Sequence, residues 1–569
     1  MTDLQERLAA ARGDVPCDLV VANVKVINVF NAEILPGTVG IHGGYIVGMG
    51  DYEGTETIDA GGAFMVPGFV EGHIHVESTM LTIPAFARVV LPHGTTSAVI
   101  DPHEIANVFG LDGIRFMLDC ARSCPLDIVV MLPSCVPASP FESSGAILTA
   151  ADLATLINEP RVGGIGELMN FPAVLNGDLE FLARAALARG KVADGHAPLL
   201  SGKPLNAYIC AGVQTEHECT RAEEALEKLR NGMHIHVREG STEHNLADLV
   251  KIITPENSRN MSLVTDDRHP DELKENGHLN YSVRLAIEHG IPPITAIQMA
   301  SINTARCYHL EHTGALAPGY KADFFLTENL EKCAPVCVFK NGRKVAENGE
   351  CLVDTGTVPS QPGVSMQVAP LSETSFAVKA AGKRVRVIHV AEDQIITEER
   401  IEPAPQENGM LISDTDRDLL KIAVIERHHG TGRIGVGLVH GLGLKQGAIA
   451  STVAHDAHNI IVAGVEDEDL LCAANALVNM GGGLTAVRNN TVLAQLPLPI
   501  AGLMSDEPVD TVITGYHSVC EAARELGAVV SNPYMTLSFL ALTPIPAIKI
   551  TDRGLFDATR FEPVDLFVP

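Results

Sequence analysis

The sequence predicts an α/β protein: a (β/α)8 TIM-like barrel, a small β-sandwich built from both of its flanks, and a C-terminal mixed α/β domain. Three observations carry that expectation. From residue 69 onward, eight short apolar segments alternate with stretches of helical period over about 250 residues, the size and rhythm of such a barrel. Runs of β texture broken by Asn and Gly turns lie on both sides of that region. A Pro/Gly/Ser-rich stretch at 358–365 reads as a linker to a third region. An open doubly wound sheet is the structural rival, and strand counting alone does not separate the two.

Taken in order, residues 18–22, 25–28, 38–42 and 45–49 read as short strands. Barrel strands are expected at 69–75, 96–101, 127–132, 163–167, 191–196, 213–217, 233–238 and 262–266. Helices fall between them at 112–120, 151–157, 179–188, 222–229 and 245–253. After a helix near 293–307, β texture returns at 322–326, 336–340 and 344–348, and the simplest pairing joins these strands to the N-terminal ones. Beyond the linker, strands at 385–390, 420–426, 435–440, 448–454 and 460–463 precede a helix at 467–480. The expected domains are therefore 1–64 with 312–357 (sandwich), 65–311 (barrel) and 365–569 (C-terminal).

The chain has 569 residues, 46% hydrophobic and 20% charged, which sets aside disorder, collagen and coiled coil. Forty-one basic against 70 acidic residues leave a net charge of −29. Such a surface repels phosphate backbones and anionic lipids, so neither nucleic acid nor membrane is an expected partner. The first residues lack a basic segment followed by an apolar one, and the longest apolar runs, such as 128–132, are strand-sized. Twelve cysteines are scattered; the pairs Cys120/Cys124 and Cys333/Cys337 have no matching partner pair, so no zinc ribbon is expected. Buried thiols in a reducing cytoplasm are the simpler reading. Twenty-two histidines hint at metal chemistry.

The strongest signal is His73-Ile-His75 at the end of the first barrel strand. Histidines at i and i+2 on a strand share a face, so both rings reach one ion. An isolated pair of this kind is usually two satisfied polar residues. Here the other strand ends supply partners: Glu167 on the fourth, His196 on the fifth, His217 on the sixth and Asp266 on the eighth. Barrel active sites sit at the strands' C-terminal ends. Four histidines and two carboxylates suffice for two divalent ions bridged by Glu167, an arrangement that generates hydroxide at neutral pH and polarises an electrophile. A second pair, His234-Ile-His236, is read as core histidines or as groups that orient the ligands. Gly430-Thr-Gly-Arg-Ile-Gly435 matches G-x-G-x-x-G but leads into a β run, so it reads as a tight turn and not a dinucleotide site. His428, His429, His440, His455 and His458 could line the pocket, bind a further metal or be structural; the sequence does not choose.

The order H-x-H, Glu, His, His, Asp on successive strands resembles the amidohydrolase superfamily. Further words resemble its bacterial adenine deaminase branch: Gly72-His-Ile-His-Val-Glu-Ser78, Asp101-Pro-His-Glu104, Gly164-Ile-Gly-Glu167, Arg238-Glu-Gly-Ser241, Asp266-Asp-Arg-His-Pro270, Ala300-Ser-Ile-Asn-Thr-Ala305, the segment from His428 to Gly435, and Ala454-His-Asp-Ala-His-Asn459. Glu167 stands where many superfamily members use a carbamylated lysine. The resemblance implies hydrolysis of adenine to hypoxanthine and ammonia in purine salvage, with Mn(II) favoured and Fe(II) or Zn(II) as alternatives. It implies Asp266 as general base, His103 as proton carrier, Glu218 as a hydrogen-bond partner of a ring nitrogen, and Arg238 and Ser241 as purine contacts. A cytoplasmic homodimer is expected. The competing readings are a cyclic amidase of the hydantoinase or dihydropyrimidinase kind, against which the bridging glutamate and the C-terminal domain count, and a non-catalytic scaffold, which would have lost ligands.

Overall fold

The computed structural model describes residues 2–390 and 396–568. Eight parallel strands form the central barrel: β1 (Phe69–Ile74), β2 (Thr95–Ile100), β3 (Asp127–Leu132), β4 (Val162–Ile165), β5 (Val192–Ala193), β6 (Thr215–Glu216), β7 (His234–Arg238) and β8 (Met261–Val264). Strands β1 to β5 pair in chain order as one sheet and β6 to β8 as another. Two seams close the circle. The Gln214 N–H donates to the Ala193 carbonyl (3.0 Å) between β5 and β6, and the Asp266 N–H to the His73 carbonyl (3.0 Å) between β8 and β1. The strand order never reverses, so the open doubly wound sheet is ruled out.

The barrel strands are short apolar runs because both of their faces are covered; every residue of β1, β2 and β8 is buried. Around them the helices are amphipathic. Leu111–Arg122 buries Ile114, Phe116, Met117 and Leu118 and turns Asp112, Arg115, Asp119 and Arg122 to solvent. The helix expected at 245–253 is only Leu246–Leu249 followed by a 3-10 turn, Val250–Ile252. Ile252, Ile253 and Thr254 are β-branched and Pro255 disfavours helical backbone before it. The expected helix at 293–307 breaks in two, Pro293–Met299 and Ile302–Cys307, where Ser301 turns its hydroxyl back onto the Ile297 carbonyl (2.5 Å).

The two flanks join into one nine-stranded sheet through Phe64–Pro67, which pairs antiparallel with Phe324–Thr327. Its own core includes Leu19, Val21, Val26, Ile41, Phe324 and Phe339. The segments expected at 18–22 and 25–28 are one strand, Cys17–Asn28, irregular between Val21 and Val24, where Asn23 takes φ 51°. The C-terminal region contains a second nine-stranded sheet. The helix Asp467–Met480 packs on it through Leu470, Ala473, Ala474 and Leu477. Gly430 and Gly432 both have positive φ and feed the strand Ile434–His440, the tight turn expected there. All twelve cysteines are free thiols. No helix among the described residues is long and apolar enough to cross a membrane.

The C-terminal region docks over the barrel mouth. The loop after β3 supplies the seam: Ser143 donates from its N–H (2.9 Å) and hydroxyl (2.7 Å) to Asp552, Asn459 donates to the Ser143 carbonyl (2.8 Å), and Thr543 donates to Glu142 (3.0 Å).

Candidate metal centre

His73 and His75 reach the mouth at the end of β1, their rings edge-to-face at 4.9 Å. Neighbouring strands hold them in place. The His73 N–H donates to Glu71 (3.0 Å), whose carboxylate also takes the Thr265 hydroxyl (2.9 Å) and so ties β1 to the end of β8. His75 Nδ1 lies 2.9 Å from the Asp101 carbonyl, which fixes the proton there and frees Nε2 for the centre. The Asp101 side chain accepts the Glu167 N–H (2.9 Å) and sets the position of that carboxylate.

All six expected ligands converge. Glu167 Oε1 lies 2.9 Å from His75 Nε2 and 3.2 Å from His73 Nε2, while Oε2 lies 2.7 Å from His196 Nδ1 and 3.7 Å from His217 Nε2. Asp266 Oδ1 stands 3.2 Å from His75 Nε2 and 3.6 Å from His73 Nε2. Asp266 holds φ 59°, a left-handed conformation that Asp tolerates better than most residues and that turns its carboxylate inward. Every one of the six is at most 5% exposed. Burial pushes the Glu167 carboxyl up, but His217, His196, His73 and His75 around it hold it well below the usual range. Asp266 is likewise held low against burial, by His75 and by Arg238. Burial, then His73, presses His217 well below the ordinary imidazole range, which keeps it neutral, the form that ligates.

His196 Nδ1 hydrogen-bonds Glu167 Oε2; the other atoms face one another without hydrogen bonds. His73 Nε2, His196 Nε2, His217 Nδ1 and Glu167 Oε1 are buried and unpartnered, an arrangement that costs stability unless something satisfies it. One ligand atom from each of His73, His75 and Asp266 lies within 4.8 Å of the others, and the same holds for His73, Glu167 and His217. Nitrogen and carboxylate donors in such a cluster fit divalent ions.

The remaining expected residues divide. Arg238 lines the cavity and clamps two carboxylates. Its Nη1 donates to Glu218 Oε1 and to Asp266 Oδ2 (2.7 Å), Nη2 to Glu218 Oε2 (3.2 Å), and Nε to Asn245 (3.1 Å). Glu218 Oε1 lies 3.4 Å from His217 Nε2. His103 also lines the cavity, edge-on to His75 at 4.5 Å. Ser241 does not reach the cavity lining: its hydroxyl donates to Glu272 (2.7 Å) and accepts the His269 N–H (2.8 Å). His234 and His236 stay out of the centre, bound to Ser262 (2.7 Å) and Tyr308 (3.1 Å). Of the C-terminal histidines, only His455 lines the cavity. His440 stacks on His389 at 4.2 Å, His429 reaches the Ser144 carbonyl (2.9 Å) and His428 the Ala457 carbonyl (2.7 Å).

Phe539, Leu542, Ile545 and Met169 line the cleft together with the polar residues.

An amidohydrolase family model matches residues 64–345, and a model of the adenine deaminase C-terminal domain matches residues 394–562. The chain is 47% identical to adenine deaminase 2 of Carboxydothermus hydrogenoformans, over 99% of both chains. It is 45% identical to an adenine deaminase of Desulfatibacillum aliphaticivorans, covering 98% of this chain and 99% of that one. The chain belongs to the adenine deaminase family. Among solved structures, a β-aspartyl dipeptidase from Fervidobacterium islandicum AW-1 aligns over 58% of this chain and 98% of its own, at 16% identity and a TM-score of 0.44.

Sequence reasoning missed several cavity residues. Glu243, Asp267 and Asp456 line it, as does the apolar group from 539 to 545. Asp456 and Asp267 each adjoin a residue already singled out, so adjacency could have flagged them; the apolar group carries no signal distinct from a core.

Proposed function

We propose that this chain hydrolyses adenine to hypoxanthine and ammonia, using two divalent ions held by His73, His75, Glu167, His196, His217 and Asp266. The observation that carries the reading is the buried ring of four histidines and two carboxylates at the mouth of an adenine-deaminase-family barrel, with an unpartnered atom left on each of His73, His196, His217 and Glu167. When bound, the ions supply an activated water and polarise the ring carbon. Mn(II) is favoured, and Fe(II) or Zn(II) suit the same donors.

The chain's own residues do the rest. Asp266 points Oδ1 at His73 and His75 while Arg238 holds Oδ2, a placement that supports it as the general base for the attacking water. Glu218, pinned by the same guanidinium, serves a ring nitrogen of the purine. Arg238 has five N–H donors, and four of them are engaged with Glu218, Asp266 and Asn245. The last N–H is free for the purine edge. Ser241 is read as a brace of its loop through Glu272. Phe539, Leu542 and Ile545 cover the apolar face of the base.

The domain limits 1–64 with 312–357, 65–311 and 365–569 belong to this reading, the flanking sheet being the small sandwich. So do a homodimer, a cytoplasmic location and the lack of a nucleic-acid partner, the last supported by the net charge of −29. The test is ammonia release and loss of the intact ring, followed chromatographically, for a panel of adenine, adenosine, hydantoin and dihydrouracil with the Mn(II)-loaded protein. Ammonia from adenine alone is expected; ring opening of hydantoin or dihydrouracil, with adenine untouched, would restore the cyclic amidase.

A further inference from the structure

We propose a third divalent-cation site, distinct from the pair above, at the junction of barrel and C-terminal region, held by His103, Glu104, His455 and Asp456. His103 and Glu104 open the helix His103–Phe109 after β2, and His455 and Asp456 lie in the loop after the strand Ala448–Ser451. The docking of the two regions brings them together. They are 2%, 0%, 3% and 1% exposed, in that order.

The cluster repeats the signature of the main centre. His103 Nε2 lies 3.4 Å from Asp456 Oδ1, and His455 Nδ1 lies 3.4 Å from Glu104 Oε1 and 3.7 Å from Asp456 Oδ1. None of these pairs is a hydrogen bond: both nitrogens of His103, His455 Nε2, Glu104 Oε2 and Asp456 Oδ2 are buried and unpartnered. A proton relay would draw such groups to hydrogen-bond distance and alignment. Ligands arranged around a cation stand apart in this way, as His73 does from Glu167 (3.2 Å) and His75 from Asp266 (3.2 Å). One donor atom from each of His103, His455 and Asp456 falls within 4.8 Å of the others.

Charge points the same way. Glu218 and Asp266 share the Arg238 guanidinium. Among the described residues, the ion-pair partners of Asp456 and Glu104 are histidines only, with no lysine or arginine. Two buried carboxylates without a permanent cation call for one. The neighbouring His458 is excluded as a ligand by its tautomer. Its Nδ1 accepts the Ala454 N–H (3.1 Å), so Nε2 carries the proton and has no lone pair to give. Two imidazoles and two carboxylates without thiolate suit Zn(II), Mn(II) or Fe(II).

The ion would clasp the C-terminal loop to the barrel, beside His75. It also replaces the proton-carrier role expected of His103, since a lone pair given to an ion holds no mobile proton. The proposal concerns metal content and stands apart from the reaction assigned above.

The test is a metal count on the full chain, stripped by chelator and reconstituted with Mn(II), together with anomalous diffraction from its crystals. Wild type is expected to hold three equivalents, with an anomalous peak among these four side chains. His455→Ala and Asp456→Asn are expected to hold two. His103→Asn should lose the third ion and keep the pair. Two equivalents in wild type with no peak at this place would overturn the proposal, and that measurement stands even if a variant fails to fold. Three equivalents retained in His103→Asn with kcat down about 10²–10⁴-fold would overturn it too, returning His103 to proton transfer.

Discussion

Glu142 couples the cavity's apolar wall to pH, and Glu142→Gln isolates that coupling. The carboxyl is 4% exposed; burial, then the charge of Asp456, push it from 4.5 up to about 8. Its Oε1 accepts the Ser139 N–H (2.9 Å) and the Thr543 hydroxyl (3.0 Å), and Thr543 sits between Leu542 and Ile545 of the wall. Between pH 4.5 and 8 the group is protonated when folded and ionised when unfolded. Its contribution is therefore fully present below 4.5 and is lost as pH climbs through 8. A shift of about 3.5 units at 1.36 kcal/mol each sets an upper limit of about 5 kcal/mol, of which roughly 2 is gone by pH 6. Glutamine keeps the same acceptor and cannot ionise. The variant should match wild type near pH 4.5 and gain on it steadily, the gap widening by up to about 3 kcal/mol between pH 6 and 8.5. Native-state amide exchange at 139–145 and 540–545, corrected for intrinsic rates, reads this locally without assuming two-state unfolding. A protection gap that does not change with pH would refute the reasoning.

At the main centre, Glu167→Gln should lose metal and activity together, because a neutral amide cannot offset two dications; full metal occupancy in that variant would end the bridging role. Glu218→Gln should keep both ions while kcat falls about 10²–10⁴-fold, the range of a proton-handling group, measured by ammonia release at saturating adenine. Gly166→Ala should cripple the site without touching a ligand. A Cβ there would lie 2.1 Å from Asp101 Oδ2, the atom that positions the Glu167 N–H. Overpacking of this kind costs about 1–3 kcal/mol, seen as a lower denaturant midpoint together with a lower metal content; an unchanged metal content would clear Asp101 of its positioning role.

The barrel and its candidate ligands were legible because each signal is local. A polar residue ending an apolar run stands out against its own strand, as Glu167 and Asp266 do; His73, His196 and His217 end runs that already carry Glu71, Asp194 and Glu216 and stand out as histidines at strand ends. The rhythm of strand and helix then predicts that those ends share one rim. Boundaries slipped where a local breaker acted against the pattern, as at Pro255 and Ser301. The helix Thr2–Arg12 and the strands Gly54–Asp59 and Phe64–Pro67 were missed, being short or polar segments whose order is set by the sheet they join.

What the sequence could not show depends on closure and docking. Asp101 matters because β2 lies close enough to the end of β4 for its carboxylate to catch the Glu167 N–H, 66 residues away. Glu142 matters because Thr543, 401 residues on, lands on it. The apolar wall is the harder case. Phe539, Leu542 and Ile545 read as core on any local scale, and they are in fact almost fully buried. Only the fold reveals that they line the same cleft as His196 and Glu218. A misplaced charge costs free energy where it stands and so marks its position in the sequence. An apolar side chain on a cavity costs almost nothing extra there, and its part in binding is invisible until the opposite wall is in place.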